Sequence, residues 1–155
     1  MLALIQRVTR AEVRADGEPV GAIGAGLLAL VAIEPMDGEA QAQRMCERLL
    51  GYRVFADAQG RMNRSLGETG GDLLLVSQFT LAADTGNGMR PGFSLAAAPE
   101  HGLRCFNRLL EIACSRHPAT GLAGAGHGRV ETGRFGAHMQ IELVNDGPVT
   151  FLLKA

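Results

Sequence analysis

Two apolar stretches, the continuous run Leu27–Ile33 and the Leu73–Val76 start of a second buried strand expected over Leu73–Thr80, constrain this chain more than any other feature. A strand with one wet face alternates apolar and polar residues, so an unbroken run predicts a strand covered on both faces. Each run leads towards a helical pattern. After the first, Asp37 stands where a cap is expected, and Ala42, Met45, Cys46, Leu49 and Leu50 recur with helical spacing. After the second, Pro99 suits the first turn of a helix whose apolar face is Leu103, Phe106, Leu109, Leu110 and Ala113.

Strands are predicted at both ends of these two strand–helix units. Residues 2–9 alternate in polarity, and residues 11–15 and 18–23 flank Asp16-Gly17, a hairpin turn signal. Polar loops are expected over 57–71 and 83–92, and a Gly-rich loop with Pro118 over 116–128. Three closing strands fit Val130–Gly136, His138–Val144 and Val149–Leu153. No repeat or linker divides the chain, so residues 1–155 read as a single α/β domain.

Composition narrows the function by exclusion. With 46% hydrophobic and 20% charged residues the chain is globular, and no apolar run reaches the roughly 20 residues that span a bilayer. Arg7 and Arg10 interrupt the N-terminus too early for a secretory signal, which points to the cytoplasm. The three cysteines and four histidines show no metal-ligand spacing, so neither a metal nor a cofactor is expected. A net charge of −1 does not announce a nucleic-acid binder, and the preference for arginine over lysine decides nothing alone. The glycine clusters at 21–26 and 124–128 lack the lysine and the strand–helix context of a phosphate loop.

Chemistry concentrates in two stretches. Ser77-Gln78-Phe79-Thr80-Leu81 puts hydroxyl and amide groups at the end of a buried strand. These groups either satisfy backbone where the strand leaves the sheet, or Phe79 and Thr80 offer N–H groups to an oxyanion. Ser77 lies in no G-x-S-x-G elbow, and His138 could serve Ser77 or Thr80 as a base only if the fold brings them together. Without an adjacent base, the Thr80 hydroxyl is a poor nucleophile, which favours positioning over a covalent intermediate. The second stretch, Asn145-Asp146-Gly147-Pro148-Val149-Thr150, reads either as a turn between strands or as a cis Gly-Pro step presenting carbonyl acceptors to an amine.

Four further motifs accompany them: Met-x-Ala-Leu-Ile-Gln-Arg-Val at 1–8, Cys-Glu-Arg-x-Leu-Gly-Tyr-Arg at 46–53, Gly-Met-Arg-Pro at 88–91 and Thr-Gly-Arg-Phe-Gly at 132–136. Together, and in this order, they resemble the D-aminoacyl-tRNA deacylases along almost the whole chain. The resemblance implies a homodimeric three-layer α/β/β fold. It also implies hydrolysis of the ester joining a D-amino acid to the 3′ end of tRNA, with glycine removed from mischarged tRNA as well. By the same likeness Ser77, Gln78, Phe79 and Thr80 line the pocket, with Thr80 either nucleophile or orienter. The resemblance implies further that Gly147-Pro148 is cis, reaches the partner's pocket, captures the substrate amine and rejects an L side chain. Asn145 belongs to that motif, and Arg7 helps hold its carbonyls. Met89, Arg90, Pro91 and Phe93 form the neighbouring wall near the entering tRNA end.

Three positions depart from the family pattern: the Gly-rich 116–128 stretch, His138 where aspartate is common, and Gly92 where serine is common. A competing reading from another class is a dimeric module that binds RNA ends or a small ligand without turnover. A purely structural protein comes third.

Overall fold

The computed structural model describes residues 1–86, 88–117 and 128–155. Strand β1 (Leu2–Ala15) is the spine. Its second half pairs antiparallel with β2 (Glu18–Ile23), and its first half with β3 (Gly26–Ala32). Along nearly its whole length it also pairs antiparallel with β8 (Met139–Lys154). The hairpin turn falls at Asp16 and Gly17, with φ of 54° and 84°, the positive values that a two-residue hairpin requires. Strand β6 (Asp72–Ser77) lies parallel to β3, and β7 (Val130–Thr132) lies parallel to β6.

The unbroken apolar runs now have a physical reason. Alternate residues of β3 and β6 feed two separate cores. Leu27, Ala29, Val31, Leu73 and Leu75 meet the helices α1 (Glu39–Gly51) and α3 (Pro99–Arg116). Leu28, Leu74 and Val76 meet Val8, Ala11, Val13 and Ile23 on the opposite face. β1 serves both cores by changing sides: Ala3 and Ile5 face the helical core, Val8 to Val13 the other. The change falls where its register with β8 shifts, on either side of Val8. A bulge alters the parity of a strand and so re-aims the side chains beyond it.

Several expectations are corrected. Residues 2–15 form one strand rather than two, because the pairing with β8 runs through the middle. The last two expected strands likewise merge into β8. The strand expected over Val130–Gly136 stops at Thr132. β6 ends at Ser77, since Phe79–Ala82 wind into a 3-10 turn. Within the expected 57–71 loop lie the strand β5 (Met62–Arg64), paired to β4 (Phe55–Ala56), and the short helix α2 (Leu66–Thr69) with a Ser65–Glu68 capping box.

Asp37 does not cap α1. Gly38 precedes the helix with its N–H on the Gln41 side chain, while Asp37 binds the Met1 ammonium at 2.6 Å and the Glu34 N–H. Leu103 faces solvent, its place in the α3 interior taken by Cys105 and Ile112. Most of the Gly-rich loop expectation, residues 118–127, lies outside the described residues. Among the described residues no helix is long and apolar enough to cross a membrane.

Candidate active site

The Gln78 N–H makes a last ladder bond to Val31 O at 2.7 Å, and there the chain leaves the sheet. The 3-10 turn that follows is closed by Leu81 N–H to Gln78 O. None of the described backbone hydrogen bonds uses the N–H of Phe79 or Thr80, the first residues of that turn. Among the described residues, two donors therefore stand free at the strand end. The Gln78 side-chain amide donates to Thr80 Oγ1 at 2.5 Å, which fixes the hydroxyl as acceptor and leaves its proton available outward. No described hydrogen bond joins a histidine or carboxylate to Ser77 or Thr80, so nothing in this arrangement deprotonates either hydroxyl.

Beside this strand end a cleft of about 660 Å³ opens. One wall is Ser77, Gln78 and Phe79; a second is Phe93 with the small residues Ala96 to Pro99 and Gly102 at the start of α3. The third is Phe135 to Met139 with Ile141. Phe93 meets Phe79 with ring centroids 5.1 Å apart, and Phe135 leans on Phe106 from the core. Gly102 permits this, since a Cβ there would come within 3.3 Å of the Phe135 ring. His138 lines the cleft without a described bond to Ser77 or Thr80. Thr80 is not among the lining residues but stands exposed just beyond them; nor are Met89, Arg90 and Pro91, which sit exposed on the loop closed by the Asp84–Gly92 bridge. The Ala96–Pro99 wall and Gly102 had no functional signal in the sequence, because small residues at a helix start read only as helix start.

The second stretch is a bulge within β8. Gln6 pairs with Thr150 and Val8 with Asn145, so residues 146–149 loop out opposite Arg7. Asn145 closes the base: its Oδ1 accepts the Val149 N–H at 3.1 Å and its Nδ2 donates to Thr150 Oγ1 at 2.9 Å. Arg7 donates to Val54 O at 2.5 Å, and its Nε lies 2.9 Å from Asp146 Oδ2. That second contact is an ion pair rather than a hydrogen bond, since the buried Nε–H has no aligned acceptor. The Gly147–Pro148 peptide bond is cis, and Gly147 takes φ of +126°. A Cβ on Gly147 would fall 2.6 Å from Val149 Cγ2 and 3.1 Å from the Arg7 guanidinium.

The two stretches do not meet within one chain. In the register Ser77 aligns through Val31 and Ala3 with Leu153, whereas the bulge faces Arg7, which aligns through Leu27 with Leu73. That is four residues along the strands and three strands across, on the order of 20 Å.

A family model described as D-Tyr-tRNA(Tyr) deacylase matches residues 4–154. The chain is 66% identical over 154 residues to the D-aminoacyl-tRNA deacylase of Stenotrophomonas maltophilia (strain K279a), covering 99% of each. Among solved structures it is similar to one described as c-Myc DNA Unwinding Element Binding Protein, with a TM-score of 0.89, 35% identity, and coverage of 100% of this chain and 99% of that one. A second, described as a probable eukaryotic D-amino acid tRNA deacylase, has a TM-score of 0.81 over 99% of this chain and 98% of that one; at 17% identity it speaks for the fold alone.

Proposed function

The chain belongs to the D-Tyr-tRNA(Tyr) deacylase family and is a hydrolase acting on D-aminoacyl-tRNA; from that premise we propose how the cleft and the bulge divide the work. The ester carbonyl at the tRNA 3′ end sits at the β6 end, where the free N–H groups of Phe79 and Thr80 receive the developing oxyanion. One such donor is worth about 3–4 kcal/mol of transition-state stabilisation. Thr80, held by Gln78, orients the attacking water or the terminal ribose hydroxyl, and Ser77 and Phe93 shape the wall. Met89, Arg90 and Pro91 guide the incoming RNA end from the exposed loop. Cleavage of the ester releases the amino acid and free tRNA.

The bulge acts on the pocket of a second copy. Its separation from Ser77 within one chain is the observation that carries this reading, since two parts that belong to one reaction stand on the order of 20 Å apart. In a homodimer of three-layer α/β/β subunits, Gly147-Pro148 of one protomer enters the cleft of the other and its carbonyls take the substrate amine. An L side chain meets that backbone, a D side chain points away, and glycine, with none, is also hydrolysed. Asn145 and Arg7 hold the bulge in shape. The reaction takes place in the cytoplasm, where charged tRNA is used.

The test is release of free tyrosine from D-Tyr-tRNA and L-Tyr-tRNA, with substrate in large excess and chelator present. Multiple turnovers on the D form alone are expected. Stoichiometric retention of the charged tRNA without release would instead establish a binding module.

A further inference from the structure

A polyanionic substrate poses a problem that the cleft does not solve. The chain carries a net charge of −1, and among the described residues no lysine or arginine lines the cleft. Yet binding to nucleic acid draws most of its affinity from cations set against phosphates. Those cations must stand elsewhere. They are concentrated in residues 48–64, which hold four arginines and one aspartate, a net +3, so the rest of the chain carries −4.

The side chains there are built differently from the structural arginines. Arg108, for comparison, is clamped between Glu39 and Glu111 at 2.6 to 3.0 Å. Arg53 donates to the neutral Asn63 Oδ1, and Arg64 to the Glu68 carbonyl, so neither is neutralised by a carboxylate at contact distance. Arg61 is 78% exposed, with the nearest carboxylate oxygen, on Asp57, 3.8 Å away. The acidic neighbours are hydrogen-bonded locally: Asp57 accepts the N–H groups of Gln59 and Arg61, and Glu68 accepts both N–H and O–H of Ser65. Those Ser65 bonds lower the Glu68 pKa, and Arg53 and Arg64 are near enough for their charge to lower it too. A guanidinium has five N–H donors, and most of them remain free on each of these exposed side chains.

Their position is informative as well. The hairpin of β4 and β5 is rooted beside the β8 bulge. Val54 O accepts from Arg7, which pairs with Asp146, and the Tyr52 ring meets Phe151 edge-on at 5.7 Å. Wherever the bulge docks, the hairpin goes with it.

We propose that Arg53, Arg61 and Arg64 form a clamp for the sugar–phosphate backbone of double-helical RNA, gripping the acceptor stem of a tRNA whose 3′ end lies in the partner subunit's cleft. This rests on the reading of the bulge as acting on a second copy. A-form RNA is recognised through its backbone and shape rather than its base edges, and arginine suits bidentate phosphate contact. The clamp thus supplies affinity for any tRNA, while the cleft and bulge judge the amino acid.

The test compares D-Tyr-tRNA with D-tyrosyl-adenosine, which carries the ester but no stem. The triple substitution Arg53→Gln, Arg61→Gln, Arg64→Gln is expected to raise KM for D-Tyr-tRNA at least about tenfold. It should also make log kcat/KM against log salt shallower by roughly 2–3, near one for each phosphate no longer neutralised. kcat/KM on D-tyrosyl-adenosine stays within twofold of the unsubstituted protein. Arg61→Gln alone, at the most exposed site, gives a smaller change of the same kind, and Arg104→Gln gives none. An unchanged KM and salt slope, or equal declines on both substrates, would overturn the clamp. Mixed dimers separate the clamp from the reading it rests on. One subunit carries the triple substitution with an intact cleft, and the other an intact hairpin with Gln78→Ala. Unaltered KM for D-Tyr-tRNA places the clamp across the interface; a raised KM keeps the clamp but puts it beside its own cleft and refutes the cross-subunit placement.

Discussion

The β6 end and the β8 bulge are both departures from a strand, and they treat their polar groups in opposite ways. At the β6 end the chain turns into a 3-10 winding whose first two N–H groups find no described acceptor, and Phe79 is left 58% exposed. In the bulge it is the side chains that are engaged: Asn145 binds twice across its base, and Arg7 pairs with Asp146. One region is prepared to donate hydrogen bonds to an acceptor from outside the chain. The other spends its hydrogen bonds on its own shape. An unmet donor is costly when buried and useful where a developing charge will meet it, whereas a probe that judges shape must not deform.

That contrast breaks most readily at Gly147. Its φ of +126° is hostile to L side chains, and a Cβ would crowd Val149 and Arg7. Gly147→Ala should therefore distort the bulge while leaving the cleft intact. Misplacement of a positioning group by an ångström costs about 100-fold, and a drop of that size in kcat/KM on D-Tyr-tRNA is expected from steady-state kinetics, with a melting temperature near that of the unsubstituted protein. Full activity in the variant would show that the bulge tolerates deformation and is no gauge of shape.

Thr80 sharpens the other half. If its hydroxyl orients rather than attacks, Thr80→Val removes the acceptor for the Gln78 amide and one aligned hydroxyl, lowering kcat about tenfold, equivalent to roughly 1.4 kcal/mol. Rapid-quench experiments should show no tyrosyl-enzyme in either form. Loss of all turnover, together with a trapped tyrosyl ester in the unsubstituted protein, would make Thr80 the nucleophile.

Much of the frame was legible from residue patterns. Leu27–Ile33 and the apolar start of Leu73–Thr80 announced strands covered on both faces because every second residue does feed a different core. Asp16-Gly17 announced its hairpin because few residue pairs accept two positive φ values. What failed were local signals overridden at long range. Asp37 has the chemistry of a cap, but the Met1 ammonium, just ahead of β1 and 36 residues away in sequence, claims it. Asn145–Thr150 has the composition of a turn between two strands, yet both flanks pair with the same partner, β1, and the turn becomes a bulge. For the site, the hydroxyl and amide groups of Ser77 to Thr80 were visible as types. The Ala96–Pro99 and Gly102 wall was not, since absence of bulk leaves no chemical mark in a sequence.

The smallest expected effect on activity lies at the far end of β6, where Asp72 locks the strand that carries the cleft. Its carboxylate accepts the N–H groups of Gly24 and Arg129 at 3.0 and 2.8 Å and pairs with the Arg129 guanidinium. Partial burial pushes its pKa up, but those bonds and the nearby guanidinium more than offset this, so the carboxyl titrates below its usual range. Glu34 is lowered likewise, chiefly by its hydrogen bond to the Met1 ammonium. A depressed carboxyl pKa adds stability that is complete above the ordinary carboxylate pKa and is lost as pH falls through the folded-state value. Asp72→Asn should cost about 1–2 kcal/mol at neutral pH. Its urea midpoint should also fall less steeply with acid than that of the unsubstituted protein, because one of the linked protons is gone. kcat/KM at neutral pH should change less than twofold, since the lock stands five residues from Ser77 along the strand. A tenfold loss of activity with little loss of stability would mean that the two ends of β6 are coupled, and that the cleft depends on more than its own first turn.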